Sequence, residues 1–350
     1  MIFFLFLACT EKKQLLPASD FLKSEAAIFT GVSMDYATGS LSAIETDSLE
    51  LFENLSSVSG DPAIRYKAGY LWQLNRYQYD TIRKYDPTLL QSPLLEISVA
   101  PETGSSNPHD IEICEDQLFV SLYEQPELLI LDPETMNEVA RIDIVEFADE
   151  DQRTEASSLV KLGGSLYLGL QGLDRNDGFS YQQSRILEID CSSHEISNVW
   201  SFGANIQLHD WTDEQFLISS HQSTDSSAGL YAFQAETEIF SEILLTETNI
   251  SAVAAAGEQL AFISYPSVGG SYQVHCFDGE SWYSQLDFIE YLTDIQFNQE
   301  GEIWVTAHWG WINPNQAKAG IYRFNSRCEE LHPGFIDTYL APNSLVFVTP

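Results

Sequence analysis

The chain has 350 residues, of which 44% are hydrophobic and 12% aromatic. That is enough apolar material for a large core, and it excludes a disordered polymer. Lys and Arg number 16 against 52 Asp and Glu, a formal net charge of −36. A surface this acidic repels polyphosphates, and no basic run denser than Glu11-Lys12-Lys13 interrupts it, which excludes nucleic acid as a partner.

In chain order, the first segment is Met-Ile-Phe-Phe-Leu-Phe-Leu-Ala-Cys9-Thr10, an apolar run ending in a small residue and a cysteine before the chain turns polar. Residues 1–9 resemble a bacterial lipoprotein signal. The resemblance implies lipidation of Cys9, export, and anchoring in the cell envelope, facing the outer membrane or periplasm. Thr10 stands where an Asp marks retention at the inner membrane. A buried N-terminal strand is the other reading of the same residues. Residues 10–24 are expected to be a linker, with at most a short helical lead-in over Ala18–Ala26. No later stretch approaches 18 apolar residues, so membrane contact is expected only through Cys9.

From residue 25 onward one line recurs: a short apolar β-run, an acidic or amide residue near its end, then a turn. Its copies end at Glu45, Asp86, Asp132, Asp190, Gln234, Asp278 and Asn325, with steps of 41, 46, 58, 44, 44 and 47. The long step contains the insertion Gly172–Ser184. A period near 45 with alternating, turn-bounded runs predicts a β-propeller of seven four-stranded antiparallel blades. The clearest copy spans residues 107–144, with an inner strand at Asp110–Ile113, a second at Gln117–Leu122, a third at Leu128–Leu131 and a fourth at Val139–Ile144. The first copy lacks an inner strand, and Ser344–Val348 is left over at the end. Pairing that last strand into the first blade closes the ring, so residues 25–350 are expected to form one domain, most simply a monomer.

Four fragments carry a family resemblance: Leu71-Trp-Gln-Leu-Asn75-Arg76-Tyr77, Asn107-Pro108-His109-Asp110, Leu128-Leu-Ile-Leu-Asp132-Pro-Glu-Thr135, and Leu166-Tyr-Leu-Gly-Leu-Gln171-Gly-Leu-Asp174-Arg175. Through them the chain, from Tyr70 to Phe324, resembles the YVTN/NHL-type bacterial β-propeller lipoproteins. The resemblance implies the fold. It leaves activity open, because the scaffold hosts both enzymes and binding proteins.

Candidate site residues fall where loops between blades, and loops joining second to third strands, meet one face of the channel. They are Asn75, Arg76, His109, Asp110, Arg175, Trp309 and Trp311. His109 and Asp110 pair a base with a carboxylate, or else form a strand-entry turn. Arg76 and Arg175 suit a carboxylate ligand or local ion pairs. Trp309 and Trp311 suit a sugar, peptide or protein anchor, or a loop plug. Lactonase-type propellers hold a central metal with a Glu, an Asn and an Asp, and Glu155, Asn249 and Asp294 are compatible types. Asp174, Asn176 and Asp177 before Gly178 approach a calcium loop but miss its register by one residue, so an ordinary Asx turn is the alternative.

Cys114, Cys191, Cys276 and Cys328 lack metal-ligand spacing and read as buried thiols or staples, with three connectivities open if all four pair. No nucleophile elbow, P-loop, zinc-type His spacing or dinucleotide fingerprint occurs. The expected function is therefore a cell-envelope binding or scaffolding module for an unknown protein or small ligand at the channel face, with no certain cofactor. The alternative is a metal-dependent hydrolase with Ca or Zn in the channel.

Overall fold

The second strand of every repeat is an almost unbroken apolar run, and the packing explains it: each sheet is covered on both flanks by neighbouring sheets, so both of its faces are buried. The computed structural model describes residues 24–149, 151–223, 227–265, 270–309 and 318–349. Cys9, Trp311 and most of the expected lead-in lie outside these residues, and Ser24 and Glu25 lead directly into the strand Ala26–Val32.

Seven four-stranded antiparallel sheets form the blades of a β-propeller. Blades two to seven begin with the inner strands Pro62–Lys67, Pro108–Cys114, Ala156–Leu162, Gln207–Asp210, Asn249–Ala256 and Tyr291–Phe297. Blade one takes its inner strand from the far end of the chain. Ala341–Val348 pairs antiparallel with Ala26–Val32, from Ala26 opposite Val348 to Val32 opposite Ala341. The ring is thus closed as the sequence predicts, and the sheet edge that a first blade of three strands would expose is covered.

Seven hydrophobic clusters fill the seven interfaces between blades. Trp72 and Leu74 of blade two pack with Leu118 and Val120 of blade three. Tyr167 of blade four meets Phe216 and Phe233 of blade five. Phe29 and Leu345 of blade one meet Trp304 of blade seven, sealing the closure.

The residue ending each repeat copy shapes the turn after the third strand. Asp132 Oδ1 accepts the N–H groups of Glu134 and Thr135 at 2.9 and 2.8 Å, and Met136 then takes a left-handed conformation. Asp190, Asp278 and Asn325 build the same kind of turn, which is why short Asx side chains recur there. Those N–H donors hold the Asp132, Asp190 and Asp278 carboxyls below the usual aspartate range.

Four cysteines staple neighbouring blades. Cys114 of blade three bonds Cys191 of blade four, and Cys276 of blade six bonds Cys328 of blade seven, with Cα separations of 5.9 and 5.7 Å. Among the described residues no helix is long and apolar enough to cross a membrane.

Candidate functional site

The inner strands surround a channel cavity of about 650 Å³. Alternation along each strand sends every other side chain into it, and its lining mixes the charged residues Arg65, Lys67, Asp110 and Asp294 with apolar ones such as Val253. A β-bulge enters most inner strands near their start, between Pro108 and Asp110, Ala156 and Ser158, Ile250 and Ala252, and Leu292 and Ile295. In blades three and seven a buried hydroxyl on the second strand receives the backbone N–H that the bulge frees. Ser121 Oγ takes the Asp110 N–H at 2.9 Å, and Thr306 Oγ1 takes the Asp294 N–H at 2.7 Å. In blade one Thr30 Oγ1 accepts from Ser344 N at 3.2 Å.

The bulge residue then laces its blade to the next. Asp110 Oδ2 accepts the Leu159 N–H at 2.9 Å, Ser158 Oγ the Leu208 N–H at 2.9 Å, and Asp294 Oδ2 the Leu345 N–H at 2.8 Å. Burial pushes the Asp294 carboxyl up, while the Leu345 N–H and the charge of Arg65 pull it back. These carboxylates hold the ring together, and their oxygens are already bonded.

Two cations dominate the channel. Arg65 Nε binds Asp110 Oδ1 at 2.6 Å. Lys67, at the far end of its strand, bonds Glu112 of blade three and reaches across to Asp210 Oδ2 of blade five at 2.8 Å. That triad lies at the far mouth, opposite the face that bears the loops between blades.

The near face is rimmed by rings. Tyr181 meets His221 edge-on at 5.5 Å, His221 meets Tyr265 at 6.0 Å, and Tyr265 stacks with Tyr272 at 5.6 Å. Tyr272 meets Tyr291 at 5.3 Å, Tyr291 meets His308 at 6.3 Å, and His308 stacks on Tyr36 at 5.3 Å and touches Trp309 edge-on. One unbroken arc thus runs from the insertion of blade four round to blade one. Burial keeps its histidines neutral, at about 4 for His221, partly offset by the Ile250 carbonyl, and at about 4 for His308. His221 Nε2 lies 3.1 Å from the Ile250 carbonyl, and Nδ1 is within 3.2 Å of both Asn205 Nδ2 and the Tyr181 hydroxyl.

The residues singled out in the sequence divide among these features. Asn75 is a structural joint: its Oδ1 accepts from Ser59 N and Gln73 Nε2, and its Nδ2 donates to Thr81. Arg76 lines the channel and pairs with Asp61. His109 stacks face to face on Tyr123 at 4.2 Å, held neutral by burial and by Arg76, Arg65 and Arg175, whereas Asp110 is bonded to Arg65. They therefore lie in separate interactions. Arg175 grips Glu124 with both terminal nitrogens, at 3.0 and 2.7 Å. Asp174 accepts from Asn176 N and Asp177 N as the cap of a short 3₁₀ turn.

Of the three candidate metal ligands, Asp294 lines the channel cavity, while Glu155 and Asn249 stand outside its lining. Asn249 Oδ1 accepts the Gln222 N–H at 3.2 Å. Glu155 Oε2 accepts the Leu173 N–H at 3.0 Å, and burial, opposed by that bond, lifts its carboxyl to about 7. Sequence reasoning missed Arg65, Lys67 and the tyrosine arc. The period-2 alternation of Pro62–Lys67 contained the first two. The arc joins residues scattered over five blades, so no single stretch of sequence shows it.

No family model and no curated protein matches the chain. Solved structures do. A putative 6-phosphogluconolactonase from Bacteroides fragilis aligns with TM-score 0.61 and 12% identity over 93% of this chain and 98% of its own. The Cps50 (Swd1) β-propeller domain of Myceliophteria thermophila gives TM-score 0.55 and 13% identity over 80% of this chain and 93% of its own. A streptogramin B lyase gives 0.54 and 11% over 80% and 89%. At such identities the likeness concerns the fold, so the chain is a seven-bladed β-propeller whose structural neighbours have mixed functions.

Proposed function

We propose that the protein is a ligand-binding module of the YVTN/NHL-type lipoprotein propellers, exported and anchored at the cell envelope through Cys9. Its site is the near mouth of the channel, and its ligand is a neutral, hydroxyl-rich molecule of the oligosaccharide class. The observation that carries this reading is the continuous arc from Tyr181 to Tyr36. Tyrosine rings offer an apolar body and a polar tip, which suits ligands with alternating C–H faces and hydroxyls. Of the neutral histidines, His308 has an Nε2 without a hydrogen-bond partner and so adds a polar group without charge, and a net charge of −36 disfavours anions. Two disulfides accord with an oxidising, exported compartment.

The alternative, a hydrolase with a metal held by Glu155, Asn249 and Asp294, draws less support. Asp294 already accepts backbone hydrogen bonds on both carboxylate oxygens. Titration of a panel of neutral oligosaccharides into the purified protein by calorimetry tests the site. Binding that weakens at least about tenfold in Tyr291→Ala supports it, and binding indifferent to that change refutes it. Palmitate labelling tests the anchor: the label is expected on the wild type and absent from Cys9→Ser, and equal labelling of both contradicts it.

A further inference from the structure

The loop carrying the chain from blade three to blade four gathers oxygen donors around one point away from the channel. Asp149, Asp151 and Glu155 each place a carboxylate oxygen within 4.8 Å of the others. Backbone turns fix this geometry. Asp149 Oδ1 accepts the Asp151 N–H at 3.0 Å, and Asp151 Oδ1 accepts the Arg153 N–H at 3.0 Å. Arg175 N donates to Asp151 Oδ2 at 3.1 Å, and Leu173 N donates to Glu155 Oε2 at 3.0 Å, tying the insertion hairpin of blade four to the cluster.

Two oxygens remain without a hydrogen-bond partner: Asp149 Oδ2 and Glu155 Oε1, both buried. Glu155 is 0% exposed and holds a left-handed backbone, with φ of 41°. A buried, unpartnered carboxylate oxygen facing two more carboxylates is costly unless positive charge sits among them. The neighbouring guanidinium groups of Arg153 and Arg175 pair with Glu124, and Arg175 Nε, itself without a hydrogen-bond partner, comes only to 4.0 Å from Glu155 Oε1, too far for a hydrogen bond.

We infer that Asp149, Asp151 and Glu155 form a divalent-cation site for Ca²⁺, with water completing the shell. The three side-chain ligands are hard oxygens, with no nitrogen or sulfur donor, which favours Ca²⁺ over zinc and the softer metals. An irregular loop suits the adaptable coordination of Ca²⁺ better than the strict octahedron of Mg²⁺. The site is separate from the ring arc, and it pins the hairpin that carries Tyr181 and Arg175.

The test uses the purified protein after chelator treatment, titrated with CaCl₂ by calorimetry and melted with and without the ion, with MgCl₂ and ZnCl₂ alongside. One Ca²⁺ per chain is expected, with a melting temperature raised by about 4 °C at about a hundredfold excess over the dissociation constant. Asp149→Asn and Glu155→Gln are expected to abolish that rise. Both should also raise the melting temperature of the metal-free protein, since each removes one repelling buried charge. Asp151→Asn serves if either variant fails to fold, and Asp177→Asn, in the adjacent turn, should leave the response intact. Absence of any calcium heat or melting shift overturns the inference. So does a calcium response that survives in the carboxylate variants, or a preference for zinc.

Discussion

Reduction of the blade staples gives a quantity that can be worked from the fold. Cys114–Cys191 closes a loop of 77 residues and Cys276–Cys328 one of 52. Chain-entropy reasoning assigns about 4.5 kcal/mol to the first and about 4 kcal/mol to the second, and native disulfides measure at about 2–5 kcal/mol. The two loops do not overlap in sequence and they join different pairs of blades, so their effects should add. For a chain of this length 1 kcal/mol moves the melting temperature by about 1.5 °C, so each pair of Cys→Ala substitutions should lower it by about 3–7 °C. The paired variants, the quadruple variant and the reduced wild type are to be compared by urea denaturation and calorimetry. A midpoint unchanged by reduction, once thiol labelling confirms that all four cysteines are free, would falsify the entropic account. Non-reducing peptide maps that link Cys114 to Cys276 or Cys328 would contradict the packing of the blades.

Three further outcomes follow from single features. Burial depresses His209, His221, His275 and His308 to about 4 in the folded state, against an ordinary value of 6.5. The unfolded chain therefore binds these protons first, and the contribution of the four rings to stability should be full above pH 6.5 and fall as the pH drops from about 6.5 to 4. A melting temperature that is flat or rising across that fall would contradict the burial of these rings. Lys67→Met leaves Glu112 buried without its cation; since Lys67 is 23% exposed, we expect a loss of about 1–3 kcal/mol by chemical denaturation, against less than about 1 for Asp210→Asn. Leu345→Ala, at 0% exposure in the closing strand, should cost about 2–5 kcal/mol, and removal of residues 341–350 should prevent folding as judged by circular dichroism and gel filtration. A stable, monomeric truncated chain would show that the ring needs no closure.

The fold was legible because its signal repeats. Seven copies of one strand-and-turn pattern, an incomplete first copy and a spare last strand leave one arrangement that satisfies every sheet edge, and the Asx residues at the copies' ends are the turn formers seen at Asp132 and Asp190. The site was less legible. Asp294 lines the channel and Asn75 is buried beside its strand end, and the polar atoms of both are used up inside the scaffold. Sequence position shows where a side chain stands but not whether a backbone N–H has already taken its oxygen. The bulges in the inner strands also shift the register by one residue, which periodicity alone does not reveal. Tyr181, Tyr265, Tyr272 and Tyr291 come together only when the blades are placed side by side, so no window of sequence contains the arc.

The central claim is that the near mouth, through its ring arc, is where this protein meets its ligand. The most direct measurement is a set of calorimetric isotherms for neutral oligosaccharides on the wild type, on Tyr291→Ala in the arc, and on Leu286→Ala on the outer strand of blade six, which is 51% exposed. The account predicts saturable binding that Leu286→Ala preserves and Tyr291→Ala weakens by at least about tenfold, or about 1.4 kcal/mol. Binding unaffected by Tyr291→Ala, or lost equally in both variants, would contradict it.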